Sequence, residues 1–214
     1  MLNVAVLVSG GGTNLQALID AQQAGGIPNG RITLVVSSRE DAYALTRAQR
    51  AGISTEVLRR RNFADQDAYD TKLLSVLEKR EIDLVVLAGF MTIISPRVIH
   101  HFENRIINVH PSLIPSFCGE GFYGLRVHQS ALKKGVKVTG ATVHFVNEVC
   151  DGGPIIMQKA VAVLPDDTPE TLQRRVMEQA EWKLLPKAVA LFCAGLLKVK
   201  DGIVQIKGDL SCSE

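Results

Sequence analysis

Four short apolar runs, separated by amphipathic stretches, constrain this chain more than any other feature. Leu2 to Val8, Arg31 to Ser37, Ile53 to Leu58 and Ile82 to Leu87 are of strand length and rich in Val, Ile and Leu. The segments between them read as helices: about Leu15 to Ala24, Asp41 to Ala51, and Asp65 to Lys79. The last carries Tyr69, Leu73, Leu74 and Leu77 on one face. Alternation of this kind predicts an α/β fold, with a Rossmann-like, mostly parallel sheet, right-handed crossovers and helices on both faces.

The second half reads differently. Arg105 to His110 is a β-branched strand stopped by Pro111, and Val127 to Lys134 a helix. Lys137 to Val146 and Pro154 to Val163 are longer strands joined by a turn. Thr168 as N-cap and Pro169 at the first helical position open a long helix that runs past Pro186. Leu196 to Lys200 and Ile203 to Lys207 form a hairpin over Asp201-Gly202. The C-terminal part is therefore expected to add antiparallel strands and a long helix. One domain over residues 1–214 is expected, with a loose tail at 208–214.

Composition removes several classes of function. The net charge is +2, no run of five like charges occurs, and aromatics make up 5%. That is no nucleic-acid surface. Arg59-Arg60-Arg61, the densest basic spot, reads as a solvated loop or a phosphate site. Four cysteines stand at 118, 150, 193 and 212, none at metal-site spacing and none behind a signal peptide. The opening apolar run is too short to span a membrane. A reduced, cytoplasmic protein is expected, with Cys150 a buried, inert thiol.

The first strand runs into Ser9-Gly10-Gly11-Gly12-Thr13-Asn14 and then a helix. That order presents backbone N–H groups at a helix N-terminus and suits an anion. It is not a dinucleotide fingerprint, because Leu15 occupies the third glycine position. No Gly-Lys-Ser/Thr closes it as a P-loop.

The chemistry gathers on Asn108-Val109-His110-Pro111 and Asp151-Gly152-Gly153-Pro154. Positions two apart on a strand share a face, so Asn108 and His110 point the same way at a strand's C-terminal end. In open α/β sheets ligands sit at that end. Asp151, on the turn, is placed to return and orient the imidazole. An amide donor for an oxyanion, an imidazole to move protons and a carboxylate to fix the tautomer suit acyl transfer.

Asn108-Val109-His110-Pro111-Ser112-Leu113-Ile114-Pro115, then His144-Phe145-Val146, then Asp151-Gly152-Gly153-Pro154, resembles the active-site signature of the folate-dependent formyltransferases. The resemblance holds in the same order from Met1 to about Leu197. It implies formyl transfer from 10-formyltetrahydrofolate, with Asn108, His110 and Asp151 as the catalytic residues. It implies that Gly12, Thr13 and Asn14 hold a ribonucleotide phosphate and that Glu181 contacts the ribonucleotide. The stretch between Val176 and Glu181 is one residue longer than in some family members. Met91, Thr92, Ile93 and Ile94 match the segment that lines the pterin pocket, much of it through backbone groups. With Gln66 and Asn108 they are the expected folate-binding residues. The family often has arginine where Thr92 and Gln66 stand. Residues 1–104 would be the nucleotide-phosphate half and 105–207 the catalytic and folate half. His128 matches a histidine common in the family. The Gly- and aromatic-rich loop Ser116 to Gly124 is longer than in common members and reads equally as a lid or a tolerated insertion.

Within the family, the acceptor expected is the amine of glycinamide ribonucleotide. Transferases acting on methionyl-tRNA or sugar nucleotides would continue into a further C-terminal domain. A formyltetrahydrofolate deformylase would carry a domain before the first strand. A nucleotide-binding module or Rossmann oxidoreductase resting on the Gly10 loop leaves Asn108, His110 and Asp151 without a role. No metal is expected, since one His and one carboxylate lack a third ligand. Partners are expected to be small molecules, without nucleic acid or membrane, the chain acting as a monomer or homodimer.

Overall fold

The computed structural model describes residues 1–207, so the tail expected at 208–214 lies outside the described residues. Seven strands form one sheet in the order β3-β2-β1-β4-β5-β6-β7. They are β1 (Leu2–Val8), β2 (Gly30–Ser37), β3 (Ser54–Val57), β4 (Leu84–Leu87), β5 (Ile106–His110), β6 (Val138–Phe145) and β7 (Ile155–Ala162). The pairs among β1 to β5 are parallel, and β6 and β7 add antiparallel. The hairpin β8 (Leu197–Lys200) and β9 (Ile203–Ile206) stands apart as a second sheet.

The helices are α1 (Thr13–Gln23), α2 (Tyr43–Arg50), α3 (Gln66–Lys79), α4 (Pro96–His101), α5 (Leu125–Lys134), α6 (Pro169–Val176) and α7 (Trp182–Cys193). Strand β1 shows why the sheet is buried on both sides. Val4, Val6 and Val8 enter one core with α1, α2, α6 and α7, while Ala5 and Leu7 enter another with α3 and α4. All five are fully buried, as the period of two demands.

Two elements depart from expectation. A helix not assigned from the sequence follows β4: α4 starts at Ser95, whose hydroxyl accepts from Val98 N, with Pro96 in the first turn. The long helix expected from Thr168 is broken by a π turn at Met177–Glu181 before α7 resumes. A π turn spaces its hydrogen bonds one residue wider and so absorbs an extra residue. The additional residue read between Val176 and Glu181 falls there. Pro186 sits inside α7 and offers no N–H to the Trp182 carbonyl.

Strand order reverses between β1 and β4, because the chain leaves the edge strand β3 to lay β4 on the other side of β1. Such a switch point opens a crevice at the carboxyl ends of the strands. The glycine loop leaves β1 there and residues 88–95 leave β4 there. Ser9 Oγ ties the two, accepting from Met91 N at 2.8 Å.

Candidate active site

Strand β5 carries Asn108 and His110 to the mouth of this crevice, with Asn108 opposite His144 and His110 opposite Thr142 on β6. The turn after β6 brings Asp151 back over them. Asp151 has φ 54°, in the left-handed region. The two glycines after it are required by space. A Cβ on Gly152 would stand 2.6 Å from a Val149 side-chain carbon, and one on Gly153 would stand 1.8 Å from the Phe145 carbonyl oxygen. Gly153→Ala is therefore expected to cost about 1–3 kcal/mol through overpacking and to displace Asp151. Thermal unfolding, with turnover measured below the transition, checks it. A variant that melts with the parent protein would mean that the turn yields freely.

Asp151 is the hub of the site. Its Oδ2 lies 3.4 Å from His110 Nδ1 and accepts from Gly119 N at 2.9 Å. Its Oδ1 accepts from Asn108 Nδ2 at 3.4 Å and lies 3.6 Å from His144 Nε2. His144 Nδ1 is 2.7 Å from the Phe145 carbonyl oxygen, which can only accept, so that nitrogen carries the proton. His144 Nε2 is then the acceptor for Asn108 Nδ2 at 3.1 Å. His110 Nε2 is 2.9 Å from the Phe117 carbonyl oxygen. A doubly protonated His110 ring would bond both Phe117 and Asp151, whereas a neutral ring bonds one of them.

The side chains of His110, Asp151 and His144 are only 5%, 9% and 2% exposed. Burial lowers the His110 pKa, against the raising effect of Asp151 and the Phe117 carbonyl. Burial pushes the Asp151 carboxyl up, but the His144 and His110 imidazoles in their protonated forms and the Gly119 amide outweigh it, and the net shift is downward. Asp151 therefore stays ionised beside an imidazole whose charged form is disfavoured. His128, fully buried on α5, has neither ring nitrogen bonded among the described residues. Burial, then the nearby His110, lower its pKa to about 4, so it is neutral.

The loop Ser116 to Gly124 touches the site directly. It supplies the Phe117 carbonyl and the Gly119 amide just described, and Phe117 has φ 50°. These backbone contacts left no trace in the pattern of side chains. Cys150 corrects the expectation of burial: it is exposed, on the same turn as Asp151. Burial first and Asp151 second raise its thiol pKa, so it is no activated nucleophile.

The second group of candidates meets at the N-terminus of α1. Gly12 caps that helix with φ 72°. The π turn faces it: Thr13 Oγ1 is 3.9 Å from Met177 Sδ, and Asn14 Nδ2 donates to Glu181 Oε2 at 2.7 Å. Glu181 is buried, and burial raises its pKa to about 7, against the Asn14 hydrogen bond. Asn14 Oδ1 is buried with no partner among the described residues.

The third group is less united. Met91 and Ile93 are exposed, while the Ile94 side chain packs into the core against α3 and α4 and leaves only its backbone to face a ligand. Thr92 lines a cleft of about 550 Å³ with Ser38, Arg39, Arg59, Arg60 and Arg61 among its walls. Arg59 pairs with Glu40 at 2.6 Å, so part of the arginine run is spent on the protein itself. Gln66 is tied inward. It accepts from Arg60 Nε at 2.9 Å and donates to Asp70 Oδ1 at 2.7 Å, and Asp70 in turn holds Ser95 Oγ.

The chain belongs to the formyl transferase family. The family pattern, described as formyl transferase, matches residues 2–189. Among proteins of assigned function, the phosphoribosylglycinamide formyltransferase of Haemophilus influenzae is 40% identical over 97% of this chain and 95% of its own length. That of Escherichia coli is 39% identical over 97% and 94%. The crystal structure of glycinamide ribonucleotide transformylase 1 from Symbiobacterium toebii superposes with a TM-score of 0.90 at 44% identity, over 96% of this chain and 94% of that one. No described helix is long and apolar enough to cross a membrane. No group of three or more His, Cys, Asp or Glu is placed to hold a metal among the described residues.

Proposed function

We propose that this chain transfers the formyl group of 10-formyltetrahydrofolate to the amine of glycinamide ribonucleotide, in the cytoplasm, during purine synthesis. The observation that carries the reading is the convergence of Asn108, His110 and Asp151 at the switch-point crevice. Relatives with the same assignment over nearly the whole chain support it.

In the proposed reaction the uncharged amine attacks the formyl carbon. Asn108 Nδ2 donates to the resulting oxyanion. Asp151 holds His110 Nδ1, and His110 Nε2, once the Phe117 carbonyl withdraws, passes the proton lost by the amine to the folate nitrogen. The carbon–nitrogen bond to folate then breaks, giving formylated amine and tetrahydrofolate. Gly12, Thr13 and Asn14 take the phosphate at the α1 N-terminus. Glu181 faces the ribonucleotide. Met91 to Ile94 and Asn108 line the folate site, with the Gln66 side chain turned toward Arg60 and Asp70.

The deciding experiment incubates the protein with both substrates and with each alone. Transfer predicts that deformylated folate appears only when both are present. Its release from the folate alone would make the chain a deformylase, and no release in any mixture would overturn the reading. A narrower test is Gly12→Val. The added Cβ would stand 2.6 Å from Ala44 Cβ, at a φ that side chains rarely adopt. Ribonucleotide binding is expected to weaken about tenfold or more while folate binding holds. Equal losses for both ligands would make this loop a scaffold only.

A further inference from the structure

The three peptide carbonyls of the glycine loop are all occupied. Gly12 O accepts from Gln16 N within α1 at 2.9 Å. Gly10 O accepts from Ala44 N at 3.1 Å, in the first turn of α2. Gly11 O accepts from Arg47 Nε at 2.8 Å. In a trans peptide the following N–H points away from the carbonyl. Turning the Gly10 and Gly11 carbonyls toward α2 therefore turns the Gly11 and Gly12 amides away from it. No protein acceptor takes the amides of Gly11, Gly12 or Thr13 among the described residues.

Arg47 is itself fixed. It is half-buried, its Nη1 donates to Gln16 Oε1 at 2.9 Å, and its guanidinium lies over the Tyr43 ring at 5.0 Å. The contact between loop and helix is close, since a Cβ on Gly12 would also reach Arg47 Cδ at 3.4 Å. Two of its five N–H donors are spent on the loop and on α1, and its charge stays at the carbonyl edge of the Gly11 peptide, behind the amides. The buried Asn14 Oδ1 beside the loop is an acceptor without a partner among the described residues, suited to a ligand hydroxyl rather than to the phosphate oxygens.

We propose that Arg47 is a positioning residue for phosphate: it clamps the Gly11 carbonyl so that the loop amides face a phosphate group, and adds positive charge behind them. The inference rests on the ribonucleotide reading above. It extends that reading to a residue on a neighbouring helix, which acts through the loop.

The test uses Arg47→Met, which keeps the apolar stem, and Arg47→Lys. With both substrates, Arg47→Met is expected to raise KM for the ribonucleotide about tenfold and leave kcat and the folate KM unchanged. Arg47→Lys recovers part of the loss, because an ammonium can reach Gly11 O but cannot also fork to Gln16. In parallel, inorganic phosphate is added and the thermal midpoint followed. Phosphate raises the midpoint of the parent protein, and the rise shrinks in Arg47→Met. A lower starting midpoint with an undiminished phosphate response would make Arg47 a structural brace and overturn the proposal. So would an unchanged ribonucleotide KM, or equal losses for both substrates. If the parent protein transfers no formyl group, the phosphate measurement still judges Arg47 by itself.

Discussion

Asp151→Asn and His110→Ala are each expected to lower turnover by about 10² to 10⁴, and the double variant to fall little below the worse of the two. The reason is that neither group works without the other. His110 Nδ1 faces Asp151 Oδ2 at 3.4 Å, and both side chains lie out of water. A buried imidazole without its carboxylate is neither oriented nor readily charged when it takes the proton. The pH profile supplies a second readout. Burial already lowers the His110 pKa, and Asp151 is the largest effect opposing it. Removing that charge lets the pKa fall further. The base must be neutral to act, so rate is lost as pH drops through its pKa. The acidic limb in Asp151→Asn is therefore expected at lower pH. Were Asp151 only a support for the Gly152-Gly153 turn, the variant would lose stability and keep the limb in place. Fully additive losses with an unmoved limb would leave His110 acting alone.

Asp151 also binds the Gly119 amide, so its loss should loosen the loop Ser116 to Gly124. That loop caps His110 through the Phe117 carbonyl. The same carboxylate thus orients the base and anchors the segment covering it. The loop bonds two buried side chains of the site through its backbone, so it is part of the site's structure whether or not it moves.

The sheet was legible because β1, β2 and β4 are largely buried and leave apolar runs with little ambiguity, while the edge strand β3, Ser54-Thr55-Glu56-Val57, is only partly buried. The start of α4 carries a readable signal, Ser95 then Pro96, that went unassigned. The π turn was not readable from helix periodicity, which runs smoothly through Met177 to Glu181. Only a count against family members marks the added residue. The Asn108 and His110 pairing followed from strand spacing, whereas the partners supplied by Phe117, Gly119 and Phe145 are backbone atoms that no residue type announces. Arg47 was invisible for the same reason, because its main partner is a carbonyl. The partners of Gln66, Arg60 and Asp70, were likewise not announced by its residue type. Cys150 looked apolar by type, but it lies exposed on the turn that carries Asp151.

Asn108→Ala is expected to lower turnover by about a hundredfold to a thousandfold, the usual loss for one oxyanion donor. The geometry says which hydrogen does the work. Asn108 Nδ2 carries two. One goes to His144 Nε2 at 3.1 Å, an acceptor fixed by the bond from His144 Nδ1 to the Phe145 carbonyl. The other reaches Asp151 Oδ1 only at 3.4 Å, a long contact that an oxyanion can take over. His144 therefore aims the amide, and Asp151 holds the second hydrogen until the reaction needs it. Because the oxyanion exists only after attack, the loss should fall on kcat, with the ribonucleotide KM nearly unchanged. Alanine also strands His144 Nε2 in a buried site, at a cost of about 1–3 kcal/mol. Thermal unfolding must therefore show a folded variant before the rates are compared. A folded Asn108→Ala protein with near-normal kcat would remove Asn108 from this role. A loss confined to the folate KM would instead make it a binding contact for the donor.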